Sequence, residues 1–328
     1  MKLLCLHGYG TSGDIFEKQL ASITRALGDH HEYVYIDGEF PVTKSGMSIL
    51  IKLFAGLTEH TTDLAEVFPG PYLAFFKWRS PEDLSEAHDL LEATISSEEV
   101  PFDGVVAFSQ GASLVISYII QQQIEKPDNP PPFRFGLFFS SFAVQSPDAD
   151  YNYTEFTFMS KLDHADVVAI HGIPTGNGQP ALVPENFTGF GNLIRREQEL
   201  CSALVRHFQA VIEARNFFGI EERDSPPPKH TRYSESNEQS DVARHFLRLL
   251  HPVYTTQRVP FPTVHVFGSD DAPAPRRLGK IAQELCDPDK LFLVENKGGA
   301  HDIPQKKSNV DAVVRAVEKA YFLGQRLW

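Results

Sequence analysis

Six short apolar runs along the chain predict buried β-strands. They are KLLCL (2–6), YVYID (33–37), GVVAF (104–108), FGLFF (135–139), TVHVF (263–267) and LFLVE (291–295). Their hydrophobic positions are continuous and do not alternate with polar ones. This is the pattern of strands in a parallel sheet that is covered on both faces.

Amphipathic segments between these runs predict the covering helices. The first, residues 12–27, follows a Thr11/Ser12 cap and places its apolar side chains on one stripe; the others are 111–124, 276–285 and 308–322. Repeated strand–helix units produce a parallel sheet with right-handed crossovers. We therefore predict one α/β domain over residues 1–328, with about six mainly parallel strands and helices on both faces.

Two stretches interrupt this alternation. Residues 40–72 are predicted to leave the sheet over its C-terminal edge, and residues 145–258 form a longer insertion between the fourth and fifth strands. Within the insertion, 192–213 has the pattern of an amphipathic helix, whereas 221–241 is polar and predicted to be mobile. We expect the insertion to form a lid or a wall of the substrate site, with a surface elaboration as the alternative.

Composition and charge narrow the classes of partner. The formal net charge of −13 over 328 residues disfavours nucleic acid and anionic membranes as partners. No apolar run approaches membrane-spanning length. Cys5, Cys201 and Cys286 lie far apart, which excludes a disulfide framework or a zinc site and predicts reduced thiols in the cytosol.

The stretch GVVAFSQGASL (104–114) contains the first candidate for chemistry, Ser109. The apolar strand stops at this serine and a helical pattern follows, which is the arrangement of a nucleophile elbow. Ala107 replaces the first glycine of the usual G-x-S-x-G pattern, and Gly111 relieves crowding at the turn. Serine needs a base and oxyanion donors to act as a nucleophile, and the backbone N–H of Gln110 is one candidate donor.

The stretch LHGYGT (6–11) follows the first predicted strand and offers a second oxyanion donor. Gly8 and Gly10 permit a tight loop, and Tyr9 is the best candidate to supply the backbone N–H. For His7 we favour a structural role in bracing this loop over an acid–base role. Gly8, Gly10 and Gly13 also match the G-x-G-x-x-G spacing of a dinucleotide site, but this match is weak by itself and we favour the oxyanion loop.

Two later strand ends supply a candidate acid and a candidate base. TVHVFGSDDAPAP (263–275) ends with Asp270 and Asp271, and NKGGAHDIP (296–304) places His301 in a glycine-rich loop. A carboxylate there can orient an imidazole that takes the proton from the serine. The order serine, aspartate, histidine is that of the α/β-hydrolases. Asp302 beside His301 does not make a metal site, because neither an HxH nor an HExxH pattern accompanies it.

These blocks resemble the fungal serine hydrolase (FSH) family over residues 1–145 and 260–325. The resemblance implies an α/β-hydrolase fold, Ser109 as nucleophile and His301 as base. It also selects Asp271, the third residue after Gly268, as the acid. The chain also contains the block FPGPY (68–72), and family members with this block resemble hydrolases and thioesterases of fungal polyketide gene clusters. This implies an acyl ester or thioester substrate, such as a polyketide carried by the acyl-carrier domain of a polyketide synthase.

Three functions remain open from the sequence. The first is hydrolysis of an ester or thioester through an acyl-serine, releasing a polyketide acyl chain from its carrier protein. The second is a carboxylesterase that acts on small free esters. The third is a non-catalytic relative that binds a ligand in the same pocket, although such a protein would not need the whole triad. No cofactor is expected for any of them.

Overall fold

The computed structural model describes residues 1–28, 30–42, 70–77, 81–151 and 248–327. The strands are β1 (Lys2–Leu6), β2 (Glu32–Ile36), β3 (Phe40–Pro41), β4 (Leu73–Ala74), β5 (Gly104–Phe108), β6 (Phe135–Phe139), β7 (Gln145–Ser146), β8 (Arg248–Leu249), β9 (Thr263–Gly268) and β10 (Leu291–Asn296). The helices are α1 (Gly13–Leu27), α2 (Pro81–Ser97), α3 (Gln110–Glu125), α4 (Pro273–Glu284) and α5 (Lys307–Leu327).

Six of these strands form one sheet in the order β2-β1-β5-β6-β9-β10. Every neighbouring pair in it is parallel. The central strands β5 and β6 are buried along their whole length, as continuous apolar runs predict. Because all six strands point the same way, the residues that follow them meet at one edge of the sheet, where ligands of open α/β sheets bind.

Helices cover both faces of this sheet. On one face α1 and α5 contribute Phe16, Leu20, Val313 and Val317 to a buried apolar cluster. On the other face α2, α3 and α4 contribute to a second cluster, which includes Leu278. The predicted α/β-hydrolase architecture is confirmed by this six-stranded parallel sheet and its two helical layers.

Helix α2 is an element that the sequence pattern did not predict. After Pro81 at its start, its buried apolar stripe is short, with Leu84, Ala87 and Leu91 at helical spacing, and His88 is buried on the same face. The imidazole Nε2–H of His88 donates to the Ser117 hydroxyl of α3 at 2.8 Å. A polar side chain therefore completes the buried face of this helix, and a count of apolar residues underestimates it.

Two small antiparallel ribbons join the ends of the stretches that leave the sheet. In the first, β3 pairs with β4 through Phe40–Ala74 and Pro41–Leu73. In the second, β7 pairs with β8 through Gln145–Leu249 and Ser146–Arg248. Each stretch thus departs and returns at neighbouring positions. The predicted helix at 192–213 and the predicted mobile segment at 221–241 lie outside the described residues, so the lid or substrate wall stays a prediction.

None of the five helices in the described part of the chain is both long enough and apolar enough to cross a lipid bilayer. Cys5 and Cys286 are buried free thiols. Burial raises the pKa of Cys286 to about 12, which keeps this thiol protonated and unreactive.

We expect acid to destabilise the fold because three of its histidines are buried. Burial lowers the pKa of His7 to about 4, and those of His88 and His265 to about 3. In the unfolded chain each returns to about 6.5, so below that pH the unfolded state binds more protons. The free energy of unfolding should therefore fall as the pH drops from about 6.5 towards 4, by up to about 1.4 kcal/mol per pH unit for each histidine.

Urea unfolding at about pH 8.5, 7.5, 5.5 and 4.5 measures this dependence. The contribution is complete above the unfolded pKa, so the first two values should agree, whereas the last two should decrease steeply. A free energy of unfolding that stays constant down to about pH 4.5 would show that these imidazoles are not held neutral by the fold.

Candidate active site

Ser109 lies at a strained turn between β5 and α3. Its backbone angles are φ 51° and ψ −109°, a region that residues other than glycine rarely adopt. The Ser109 N–H donates to the carbonyl of Phe139 at 2.9 Å, which ties the turn to the end of β6. A Cβ on Gly111 would lie 2.6 Å from the carbonyl oxygen of His7, so only glycine lets α3 approach β1 this closely. The predicted elbow is present, with Ala107 buried in β5.

The structure brings Ser109, His301 and Asp271 together in one hydrogen-bonded chain. The Ser109 hydroxyl lies 2.9 Å from His301 Nε2, and His301 Nδ1 lies 2.9 Å from Asp271 Oδ2. The imidazole and the carboxylate side chains are only 2% and 6% exposed. Since the carboxylate accepts the Nδ1 proton, Nε2 is left to accept the proton of the serine. This geometry can deliver a serine oxygen to a carbonyl carbon and hold its proton nearby.

The two adjacent aspartates take different positions in the turn after β9. The second oxygen of Asp271 accepts the N–H of Ala272 at 2.8 Å, which fixes the carboxylate as it faces His301. Asp270 is exposed and accepts the Ser269 hydroxyl at 2.7 Å. Only Asp271 of this pair faces the imidazole.

A buried amide network holds the loop that carries His301. Asn309 of α5 donates to the Asn296 side chain at 2.7 Å, and Asn296 donates to Asp302 at 2.6 Å. Burial raises the pKa of the Asp302 carboxyl. A Cβ on Gly268 would lie 1.9 Å from the carbonyl oxygen of Ala300, so β9 packs directly against this loop. No sequence motif contains both Asn296 and Asn309, so the hydrogen bond between them was not predicted.

The loop after β1 lies against the elbow. A Cβ on Gly8 would lie 3.5 Å from the Cβ of Ser109. The Gly8 carbonyl accepts from His7 Nδ1 at 2.7 Å and from the Thr11 hydroxyl at 2.8 Å. In a trans peptide the C=O and the following N–H point in opposite directions, so the Tyr9 N–H points away from these donors.

His7 acts as the brace of this loop that its sequence context suggested. Its Nε2 accepts the Gly38 N–H at 2.9 Å while Nδ1–H donates to Gly8, so both ring nitrogens are used within the fold. The side chain is completely buried.

A second serine–histidine pair, His88 and Ser117, lies between α2 and α3. The Ser117 hydroxyl donates to the Gln145 carbonyl at 2.5 Å, so its proton is not directed to the imidazole. Both side chains are buried, and this pair is part of the core. Sequence reasoning did not find it, because thirteen histidines give no ground for selecting His88.

A cavity of about 360 Å³ lies beside Asp271, between α4 and the ends of β6 and β9. Its described lining includes Ser140, Arg276 and Leu293 but neither Ser109 nor His301. We therefore do not assign it as the binding site of the substrate group that reacts with the serine. Within the described ranges, no group of three or more histidine, cysteine, aspartate or glutamate side chains is arranged to hold a metal ion.

The parallel sheet, the strained elbow and the hydrogen-bonded serine at the sheet edge define an α/β-hydrolase of the serine type. Comparison with known protein families agrees with this class. The family model described as "Serine hydrolase (FSH1)" matches residues 1–174, and the chain belongs to this family of hydrolase enzymes. The predicted family is thereby confirmed.

The chain is also similar to individual proteins of known name. The chain is 28% identical over 330 residues to "Esterase alnB" of Emericella nidulans, covering 100% of this chain and 99% of the relative. It is 32% identical over 136 residues to the "Dihydromonacolin L-[lovastatin nonaketide synthase] thioesterase" of Aspergillus terreus, covering 37% of this chain and 48% of the relative. Among solved structures, the chain is similar to the monoacylglycerol lipase of Paleococcus ferrophilus. The alignment covers 99% of this chain and 94% of the lipase, at 13% sequence identity and a TM-score of 0.43.

Proposed function

We propose that this serine hydrolase cleaves an acyl ester or thioester through a covalent acyl intermediate on Ser109. The observation that carries the proposal is the chain of two 2.9 Å hydrogen bonds from Ser109 through His301 to Asp271. A ligand-binding relative would not need all three groups in contact, so these two hydrogen bonds favour catalysis over binding alone.

In the first half-reaction, the Ser109 oxygen attacks the carbonyl carbon while His301 Nε2 takes the hydroxyl proton. Asp271 holds the imidazole in the required tautomer and stabilises its charged form. The backbone N–H groups of Gln110 and Tyr9 donate to the oxyanion of the tetrahedral intermediate. This intermediate collapses as His301 protonates the leaving alkoxide or thiolate. Water then attacks the acyl-serine by the same steps, which releases the acid and restores the serine.

We further propose that the acyl group is a polyketide held as a thioester on the acyl-carrier domain of a polyketide synthase. The support is the similarity to the Aspergillus terreus protein whose name describes a polyketide synthase thioesterase. Two buried free thiols are consistent with action in the cytosol, where cysteines stay reduced.

A carboxylesterase acting on small free esters is the second candidate. It is favoured by the relative that aligns over the whole chain, whose name describes an esterase. The two candidates share the acyl-serine chemistry and differ in the leaving group and in the need for a carrier.

A matched panel of substrates separates these two functions. For acyl chains of equal length, we expect kcat/KM for carrier-bound thioesters to exceed that for free ethyl esters by at least about 100-fold, since a specific enzyme uses remote contacts to stabilise the transition state. The released acids are measured by mass spectrometry, and hydrolysis without enzyme is subtracted for each substrate. Faster hydrolysis of the free esters would identify the carboxylesterase instead.

A further inference from the structure

The side chain of Gln110 is buried completely and uses both ends of its carboxamide. Its Oε1 accepts the N–H of Phe75 at 3.0 Å, and its Nε2 donates to the carbonyl of Phe76 at 2.8 Å. We call residues 73–76 the strap. The first residue of α3 thus binds the strap through two hydrogen bonds, much as a neighbouring β-strand would.

The other end of the strap binds the loop that carries Tyr9. Gly10 N–H donates to the Leu73 carbonyl, and Leu73 N–H donates to the Thr11 carbonyl, each at 2.8 Å. The strap also contacts the brace of this loop, because the Phe75 ring stacks on the His7 ring with centroids 4.5 Å apart.

The strap therefore connects the two backbone segments that supply the proposed oxyanion donors. We infer that the Gln110 carboxamide is a positioning residue that sets the distance between the Tyr9 and Gln110 N–H groups by holding the strap. The inference rests on the proposed function, since it assigns a role within that oxyanion site. The carboxamide itself is directed at the strap and touches no reacting atom.

This arrangement affects the transition state more than the bound substrate. Oxyanion donors must lie about 2.7–3.1 Å from the position of the developing charge, and the loss of one donor costs roughly 100- to 1,000-fold in kcat. A strap released at Phe75 and Phe76 lets the two donors move apart. Since an interaction made only in the transition state lowers kcat and leaves KM unchanged, KM should change little.

The test replaces Gln110 by methionine, which has a similar length and no carboxamide. For Gln110→Met we expect kcat to fall by about 100-fold with KM within about twofold of the wild type. Binding of a trifluoromethyl ketone analogue, which forms an oxyanion on the serine, should weaken by a similar factor. Hydrogen exchange of peptides covering 70–77 should become faster, which reads the release of the strap without any substrate.

Gln121→Met is the matched control. Gln121 lies on the same helix and is also buried, but its side chain bonds to Glu125 and Ser146. This variant should keep wild-type kcat and analogue affinity even if its melting temperature decreases. If Gln110→Met does not fold, Gln110→Leu, which fills most of the same space and also loses both hydrogen bonds to the strap, takes its place with the same expected direction.

Faster exchange of the strap combined with wild-type kcat and analogue affinity would overturn the inference, and so would unchanged exchange. An equal loss of kcat in Gln121→Met would also overturn it, by showing a general effect of the helix. A wild-type enzyme that hydrolyses neither esters nor thioesters contradicts the proposed function and the inference together. An active wild type with an unaffected Gln110→Met contradicts the inference alone.

Discussion

Ser109→Ala is expected to lower kcat on the order of a million-fold, because it removes the atom that forms the acyl intermediate. The substitution removes only a hydroxyl, whose described hydrogen bond is to His301, so the core should remain packed. Hydrolysis is measured with the substrate panel, and labelling by a fluorophosphonate probe should disappear with it. Circular dichroism verifies that the variant is folded.

Ser117→Ala is the matched comparison for this result. Ser117 is another serine of the α3 region with a histidine 2.8 Å away, but it lies in the core. Its replacement should cost about 1–3 kcal/mol of stability by leaving buried polar groups unpaired, and kcat should be unchanged. If Ser109→Ala kept wild-type turnover, or if Ser117→Ala alone abolished labelling, the assignment of the nucleophile would be wrong.

Asp271→Asn is expected to lower kcat by about 10,000-fold. The amide has nearly the same shape as the carboxylate, but it does not enforce the Nδ1–H tautomer of His301 or stabilise the imidazolium that forms during attack. Substrate binding should be retained, so KM should stay close to the wild-type value. Steady-state kinetics on one thioester and one ester measure both parameters.

The neighbouring aspartate provides the control. Asp270→Asn changes the same chemical group one position earlier in the turn, where the carboxylate is exposed and bonded to Ser269. We expect this variant to keep nearly full activity. A large loss in Asp270→Asn with little effect of Asp271→Asn would reverse the assignment of the acid.

Most of the sheet was predictable from the hydrophobic pattern because its four inner strands β1, β5, β6 and β9 are buried along most of their length. The bounds of β1, β5 and β6 agree with the apolar runs to the residue, and β2 begins one residue earlier than its run. Helix α2 was missed because His88 occupies a position of its buried face that apolar counting excludes. Helix α4 begins at Pro273 rather than 276, since proline is well suited to the first turn of a helix.

The candidate site was predictable where chemistry and strand ends coincide. Ser109, Asp271 and His301 each follow a different strand of one parallel sheet, so topology places them at one edge before any distance is known. The choice of Asp271 over Asp270 came from the family pattern and agrees with the contacts that each aspartate makes. The supporting contacts of Asn309 and of the Gln110 carboxamide were not predictable, because they join segments far apart in sequence through side chains common on any surface.

The β7–β8 ribbon has a consequence for how such enzymes diversify. It brings residue 146 beside residue 248, so the intervening chain starts and finishes at one point of the scaffold. Exchanging what lies between two such anchor points leaves the framework intact, since domains tolerate inserted segments best where the termini of the insert are adjacent. Chimeras that swap this cassette between relatives should therefore keep the fold of the scaffold and the contact between Ser109 and His301.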